Sequence, residues 1–197
     1  MTGKKLYYLL TVILTVAITY LGWRLTSRSG YESAEYSVLE SNGPFELREY
    51  PDLMLVTTAM KFQSQGNDGS FGRLFGYISG SNDDGRKVAM TTPVFMEPQD
   101  AQTEGQMGFV IPKQMTASIP HPLNQSVQIR QRAGGKFAVI RFTGRLDDGV
   151  LAANEDKLRN WIDAKKWTGS EGVEFAGYDP PWTPGMFRRN EILIRLK

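Results

Sequence analysis

The chain of 197 residues carries 23 basic and 21 acidic side chains, one histidine and no cysteine. Without cysteine there is no disulfide and no thiolate nucleophile, and one histidine cannot form a histidine pair around a metal. Four of the basic residues and none of the acidic ones lie within the first 30, so residues 31–197 contain two more acidic than basic side chains. Such a domain lacks the clustered positive charge of a nucleic-acid-binding protein, and no nucleic-acid partner is expected.

The amino-terminal region contains an uncharged, largely apolar segment over residues 6–23, flanked on both sides by basic residues. Its length is close to what a helix needs to cross a bilayer. No small-residue cleavage pattern follows it, which favours an uncleaved signal anchor over residues 1–30 rather than a cleaved signal peptide. The basic leader predicts a single-pass membrane protein whose domain, residues 31–197, is periplasmic or otherwise extracytoplasmic.

The first half of the domain has the pattern of strands interrupted by one helix. Phe71, Leu74, Phe75 and Ile78 follow the spacing of one helix face, with Asp68 or Ser70 as the cap. Alternation and turn residues predict strands on either side, over residues 36–40, 45–50, 53–62, 87–96 and 107–111.

The second half repeats this order. Asp147 or Asp148 caps a predicted helix that carries Leu151, Leu158 and Trp161 on one stripe. Strands are predicted over residues 127–132, 136–143, 173–178 and 191–196. The repetition indicates an internal duplication, and paired strands with two helices predict an α+β domain with a largely antiparallel sheet.

The chemistry-bearing motifs are few. The sequence has no HExxH, Walker or GxGxxG pattern, so no catalytic residue is predicted and the protein is expected not to be an enzyme. His121 lies between two prolines in a polar loop, where a histidine is more often solvated than a ligand; it is the candidate metal ligand because imidazole binds metals readily.

Two segments are candidates for a binding surface. Gly72 and Gly76 share a helix face, which suits either close approach of the domain's own sheet or a flat ligand beside Phe71 and Phe75. The proline-stiffened tail at 180–187 contains three large apolar side chains that could wall a cleft. The charged residues after the tail, Arg188, Arg189 and Glu191, are expected to form a structural polar network.

Five segments of the chain, in order, resemble the SOUL haem-binding family. They are residues 38–40 (VLE), 46–50 (ELREY), 87–94 (KVAMTTPV), 177–181 (GYDPP) and 188–192 (RRNEI). The resemblance covers the chain from about residue 36 to its end. It implies a duplicated strand–helix–strand unit that forms a distorted antiparallel β-barrel with two packed helices.

The resemblance also implies a function, the binding of haem or a related tetrapyrrole in an apolar cleft beside the first helix of the domain. Apolar walls suit the ring and arginine suits its carboxylates. The position at which some members carry an iron-ligating histidine is Glu49 here. The residues expected to form the haem cleft are Phe71, Arg73, Leu74, Phe75, Ile78, Trp182, Met186 and Arg188.

Two other functions compete with a membrane-tethered haem carrier, buffer or sensor. One is a small-molecule-sensing or protein-interaction module on the same fold without a preference for haem. The other is an enzyme acting on a tetrapyrrole, for which the sequence supplies no acid–base pair.

Overall fold

The computed structural model describes residues 3–26, 30–61, 68–98, 104–180 and 183–197. Within these residues the chain forms an α+β domain, as predicted. The helices are α1 (Gly3–Thr26), α2 (Ser70–Ile78) and α3 (Asp148–Ala164). The strands are β1 (Glu32–Ser33), β2 (Ser37–Asn42), β3 (Phe45–Tyr50), β4 (Leu53–Ala59), β5 (Thr91–Thr92), β6 (Val94–Glu97), β7 (Gln106–Val110), β8 (Val127–Arg132), β9 (Gly135–Thr143), β10 (Glu174–Gly177) and β11 (Arg189–Arg195).

Helix α1 contains the apolar segment 6–23. Hydroxyl groups recur along it, and those of Thr11, Thr15 and Thr19 donate to carbonyl oxygens three or four residues earlier. Among the residues with described placement, no helix is both long and apolar enough to cross a membrane. The prediction of a single-pass membrane protein with an extracytoplasmic domain is therefore wrong.

Nine of the described strands form one curled antiparallel sheet in the order β2-β3-β9-β11-β10-β6-β7-β4-β8. β1 and β5 form a separate parallel pair. The described sheet forms a half-barrel, which is less complete than the distorted antiparallel β-barrel that was expected. Its edge strands β2 and β8 each have one described neighbour, so the ladder does not run all the way round.

The strand order has an internal symmetry that agrees with the predicted duplication. Read from the outside towards the centre, one half of the sheet is β3-β9-β11-β10 and the other is β8-β4-β7-β6. The two halves meet at the β10–β6 pair. The outer strand of each half comes from the other half of the chain, because β3 pairs with β9 and β8 pairs with β4. The two repeats are thus joined by exchanged strands.

Two local predictions differ from the structure. Residues 87–90 belong to no strand, and the predicted strand 87–96 is divided into β5 and β6 by Pro93, which cannot donate to a ladder. Helix α2 has Gly69 at its N-cap position, although Asp68 accepts the amide of Ser70 at 3.0 Å. Asp147 caps α3 as predicted, by accepting the amide of Val150 at 2.9 Å.

The two faces of the sheet carry separate apolar clusters. Helices α2 and α3 cover one face, where their buried residues pack on strand residues such as Val56, Met107, Phe109, Ile140 and Ile192. The opposite face carries the second cluster, which includes Tyr50, Leu55, Phe95, Phe137, Tyr178 and Leu193. The candidate site lies on the helix-covered face.

Candidate functional site

Helix α2 buries Leu74, Tyr77 and Ile78 and leaves its two phenylalanines on the adjoining flank. Leu74 and Ile78 are buried against the sheet, whereas Phe75 is 52% exposed. Phe71 lies between these extremes: its ring stacks on Phe75 at 6.1 Å and meets the edge of Phe109 at 5.4 Å. One flank of α2 therefore presents two parallel aromatic rings, the inner one anchored in the core and the outer one in solvent.

A cleft beside this flank lies between α2 and the segments around β10 and the start of β11. Its volume is about 120 Å³. Most of its wall is apolar, and the polar groups come from the carboxyl-terminal segment. The lining residues are Phe71, Val94, Met96, Met107, Leu146, Gly177, Asp179, Arg188 and Asn190.

The cleft floor is a pair of thioethers with a glycine beside it. Met96 of β6 and Met107 of β7 are directly opposite each other in the antiparallel ladder. A Cβ added at Gly177 would lie 3.6 Å from the Met96 methyl carbon. The missing side chain at Gly177 therefore leaves space above the floor that a larger residue would fill.

The structure brings together two of the predicted site residues and places a third next to them. Phe71 and Arg188 both line the cleft, and the ring of Phe75 stacks beside that of Phe71. The Arg188 Nε also donates to the carbonyl oxygen of Thr183 at 2.8 Å, which holds its side chain on the tail.

Three other predicted residues do not line the cleft. Leu74 and Ile78 are buried, because the inner face of an amphipathic helix packs on the sheet and leaves no surface for a ligand. Arg73 lies on the other flank of α2, where its Nε donates to Thr58 Oγ1 at 2.9 Å and its Nη2 donates to the Ala59 carbonyl at 2.6 Å. The Arg73 guanidinium therefore secures α2 to β4.

The tail supplies exposed apolar surface next to Arg188. Met186 is 73% exposed and Phe187 is 58% exposed, and both lie in a short 3-10 turn at Gly185–Phe187. Trp182, the third predicted residue of this wall, lies outside the described residues.

His121 is not part of the cleft lining. It is exposed, and its amide donates to Asp83 Oδ1 at 2.7 Å while its carbonyl oxygen accepts the Asp83 amide at 3.0 Å. No group of three or more histidine, aspartate or glutamate residues that could hold a metal occurs in the described part of the chain. The contacts at His121 fix a loop.

The glycines of α2 face open space rather than the sheet. A Cβ added at Gly72 would meet no atom within 4 Å, and one at Gly76 would meet only Ser81 Oγ at 3.7 Å. Close approach of the sheet therefore does not account for them. The outer face of α2 is bare backbone beside the exposed ring of Phe75.

A buried ionic network on the other face of the sheet was only partly predicted from the sequence. Arg48 of β3 is fully buried, and it donates from Nη1 to Glu191 Oε2 at 2.7 Å and from Nη2 to Glu191 Oε1 at 2.9 Å. Glu191 also accepts from the Tyr178 hydroxyl at 2.8 Å and from Arg189 Nη2 at 2.6 Å. The expected Arg189–Glu191 contact is present, whereas Arg188 belongs to the cleft. The alternation in β3 placed Arg48 on one side of a strand but gave no means of finding its partner.

Burial and charge act in opposite directions on the ionisable groups of this network. Burial by itself raises the pKa of Glu191. Hydrogen bonds from Arg48 and the charges of Arg48 and Arg189 outweigh this effect and lower the pKa from 4.5 to about 2. Burial raises the pKa of Tyr50 to about 12, and burial beside the Glu191 carboxylate raises that of Tyr178 as well. At neutral pH the network is a carboxylate held by guanidinium groups and neutral phenols, an arrangement that fixes β3 to β11.

A half-barrel with a small, mainly apolar cleft beside a sheet-packed helix places the chain in the α+β class. The model of the SOUL heme-binding protein family matches residues 31–195, and the chain belongs to that family. Heme-binding protein 1 of Mus musculus is 29% identical to it over 182 residues, which are 87% of this chain and 90% of the relative. Heme-binding protein 1 of Xenopus laevis is 28% identical over 156 residues, 75% of this chain and 81% of the relative. Haem is therefore a ligand that the family and these relatives support.

Solved structures share the fold at low sequence identity. The crystal structure of the EcmrR C-terminal domain matches with a TM-score of 0.55 and 12% identity, over 82% of this chain and 98% of that one. The crystal structure of a hydrolase from Listeria innocua matches with a TM-score of 0.53 and 7% identity, over 81% of this chain and 94% of that one. At these identities the likeness concerns the architecture alone.

Proposed function

We propose that the protein binds haem or a related tetrapyrrole, without catalysis, in the cleft between α2 and the carboxyl-terminal tail. It would act as a carrier, buffer or sensor of that ligand. The observation that carries the proposal is a mainly apolar cleft that Phe71 and Arg188 both line, with the ring of Phe75 stacked beside Phe71. Membership of a heme-binding family supports the choice of ligand.

The residues of the cleft fit a tetrapyrrole along one edge of the ring. Pockets that enclose a small ligand usually measure about 300–1,000 Å³. A cleft of about 120 Å³ holds only part of so large a plate. The remainder would lie on exposed side chains near the lining residues: Phe75, which stacks on Phe71, and Met186 and Phe187, which precede Arg188 in the chain.

Each part of the site has a role in this proposal. The rings of Phe71 and Phe75 pack against the face of the plate, and the thioethers of Met96 and Met107 form the apolar floor. The planar guanidinium of Arg188 suits a ligand carboxylate, which it can bind with two hydrogen bonds. Trp182 remains a predicted part of the opposite wall.

A haemin titration of the purified full-length chain, followed at the Soret band, tests the location. We expect saturable one-to-one binding that Gly177→Leu abolishes by filling the cleft. Phe75→Asp should weaken binding by about ten-fold, because a buried phenylalanine contributes about 1.5–3 kcal/mol. Val38→Asp is the matched control, since Val38 is 50% exposed on the edge strand β2, and it should change nothing. Equal weakening by Phe75→Asp and Val38→Asp would contradict the proposed location.

A second titration tests the role of Arg188. Arg188→Met keeps an apolar stem but loses the guanidinium, so it should weaken haemin about five-fold, in line with a charge-assisted hydrogen bond at a partly exposed site. Haemin dimethyl ester, whose carboxylates are blocked, should bind the wild type and Arg188→Met equally. If the variant weakens both ligands to the same extent, Arg188 acts on the shape of the cleft and not on the carboxylate.

A further inference from the structure

A second depression lies where the segment after α1 crosses the sheet, and it shares no lining residue with the proposed haem cleft. We call it the N-terminal groove. Its volume is about 360 Å³, within the range of sites that hold small ligands. The lining residues are Glu32, Ser33, Ala34, Glu35, Pro51, Asp52, Leu53, Met54, Thr91, Val110, Ile111, Lys113, Thr116 and Gln131.

One wall of the N-terminal groove is held in place by hydrogen bonds. β1 pairs in parallel with β5, and the amide of Ala34 donates to the carbonyl oxygen of Thr92 at 2.7 Å. The Thr91 hydroxyl donates to the Val110 carbonyl at 2.6 Å, which ties β5 to β7. The groove is therefore part of the fold and not a gap beside a loose segment.

The floor of the groove is aliphatic. Ala34, Leu53, Val110 and Ile111 are each buried at its base, and Met54 completes it. None of the lining residues that the structure describes is aromatic. This surface suits an alkyl chain by apolar contact and offers no ring on which a flat ligand could stack.

The rim of the groove is mainly acidic. Glu32 and Glu35 come from the amino-terminal wall, Asp52 from the turn between β3 and β4, and Lys113 is the one basic side chain among the described lining residues. Three carboxylates against one ammonium give this rim a negative charge. A cationic headgroup is favoured there and an anionic one is disfavoured.

The protein already places an alkylammonium group at this rim. The Lys113 Nζ lies 3.0 Å from Glu35 Oε2, and the lysine is highly exposed, with 76% of its side chain accessible. Its amide donates to Glu32 Oε1 at 3.1 Å, so both glutamates contact the same lysine. An exposed ion pair of this kind is weak enough for a ligand ammonium to replace it.

We propose that the N-terminal groove binds an aliphatic primary amine in its protonated form, with the alkyl chain on the aliphatic floor and the ammonium between Glu32 and Glu35. This site is independent of haem and goes beyond the proposed function. The ligand class is an alkylammonium amphiphile, defined by a linear apolar body and one positive charge.

Isothermal titration calorimetry of the full-length protein with three eight-carbon probes tests the proposal. Octylammonium, octanol and octanoate share one chain length and differ in headgroup charge. We expect octylammonium to bind with the highest affinity and octanoate with the lowest. The difference between octylammonium and octanol should shrink in 1 M salt, where the Debye length is about 3 Å.

Two variants should move the affinity for octylammonium in opposite directions. Replacing both Glu32→Gln and Glu35→Gln should weaken it about five-fold, and Lys113→Met, which keeps the apolar stem and removes the competing ammonium, should strengthen it about three-fold. Glu49→Gln removes one exposed carboxylate outside the groove and is the control for overall charge.

Three results would overturn the proposal. They are no binding of octylammonium, binding of octanol as strong as that of octylammonium, or octylammonium binding that the double glutamine variant leaves unchanged. In the first case, binding of a lysine-rich peptide would favour a protein partner instead. Haemin binding measured on the same preparation separates these results from failure of the haem proposal.

Discussion

Glu191 shows how a charged residue can lie in the interior of this sheet. Its two carboxylate oxygens receive hydrogen bonds from Arg48, Arg189 and Tyr178, so little of its hydrogen-bonding capacity is unmet. Arg48 in turn lies 4.2 Å from the centre of the Tyr36 ring, which covers the pair. The network joins the strand β3 of one repeat to the strand β11 of the other.

Removing the negative charge should reveal how much of the stability depends on this network. Glu191→Gln removes the fully buried counter-charge of Arg48 and leaves Glu46, 2.7 Å from the Arg48 Nε, as its carboxylate partner. Breaking a buried ion pair by losing one partner costs about 3–5 kcal/mol. Urea denaturation followed by circular dichroism measures the loss. Glu40→Gln removes a partly exposed partner of Lys165 and should cost under about 1 kcal/mol. A similar loss in both variants would show that the Arg48–Glu191 pair has no special weight.

The same carboxylate predicts a dependence of stability on pH. The pKa of Glu191 is lowered from 4.5 to about 2 in the folded protein, so its contribution is complete above about pH 4.5 and is lost as the pH falls towards 2. Between these values the urea midpoint of the wild type should fall more steeply with decreasing pH than that of Glu191→Gln. Parallel curves for the two proteins would rule out Glu191 as the source.

At the level of single residues, the sequence predicted only contacts between residues that are close together in the chain. The Arg189–Glu191 contact joins neighbours two apart and was expected, while Arg48 and Glu191 are 143 residues apart and meet only through strand order. In the cleft, Phe71 and Arg188 were named from the family resemblance. Arg73 was named for the same reason, but helical rotation places it on the opposite flank, towards Thr58.

Helix α2 is the element in which stability and binding are expected to conflict. It has two glycines on its outer face, although glycine lowers helix stability by about 1 kcal/mol relative to alanine. A Cβ at Gly72 meets nothing within 4 Å, so packing does not require the glycine there. A bare helix face next to Phe75 is consistent with a ligand lying close to the backbone.

Gly72→Ala should therefore raise the free energy of unfolding by up to about 1 kcal/mol, through helix propensity alone. If the tetrapyrrole lies over this face, the same change should weaken haemin. Gly69→Ala is the contrasting variant, since Gly69 has φ of +87° and a side chain there is strained; it should destabilise the protein. Chemical denaturation and haemin titration of both variants measure the two effects. Loss of stability in Gly72→Ala would mean that the outer face is covered.

The periodicity of α2 and α3 predicted most of their buried residues, because a helix needs only its own residues to show a stripe. In α2 it included Phe75, which is 52% exposed, and left out Tyr77, which is buried. Leu74, Ile78, Leu158 and Trp161 are buried as that pattern indicates. The ends of the strands were harder to predict from the sequence, because the hydrogen bonds of a strand depend on a partner that is distant in the chain. Residues 87–90 alternate suitably but pair with no strand, and the proline at 93 separates β5 from β6.

The whole molecule depends on strand exchange between its two repeats. Each half of the sheet takes its outer strand from the other half of the chain, so neither repeat contains all the pairings that it needs. The sequence predicted the repeat but not the exchange of strands. A sheet with exchanged strands and a sheet without them have the same order of elements along the chain.

Division of the chain in the loop before β8 tests this dependence. Fragments 1–123 and 124–197 should each lack a cooperative unfolding transition. The first keeps β3 and β4 without their partners β9 and β8, and the second keeps β8 and β9 without β4 and β3. Mixed in equal amounts, they should recover the circular dichroism spectrum and the urea transition of the intact chain. A fragment that unfolds cooperatively on its own would show that a repeat is self-sufficient.

The exchanged strands also affect how two copies of the chain associate at high protein concentration. The pairings β3–β9 and β8–β4 need one strand from each repeat, and nothing in their geometry requires both repeats to belong to the same polypeptide. Two chains that fold together can satisfy the same ladders reciprocally, which gives a domain-swapped dimer with native contacts. Refolding at low concentration favours the monomer, because the partner strand on the same chain is then always nearer than one on another.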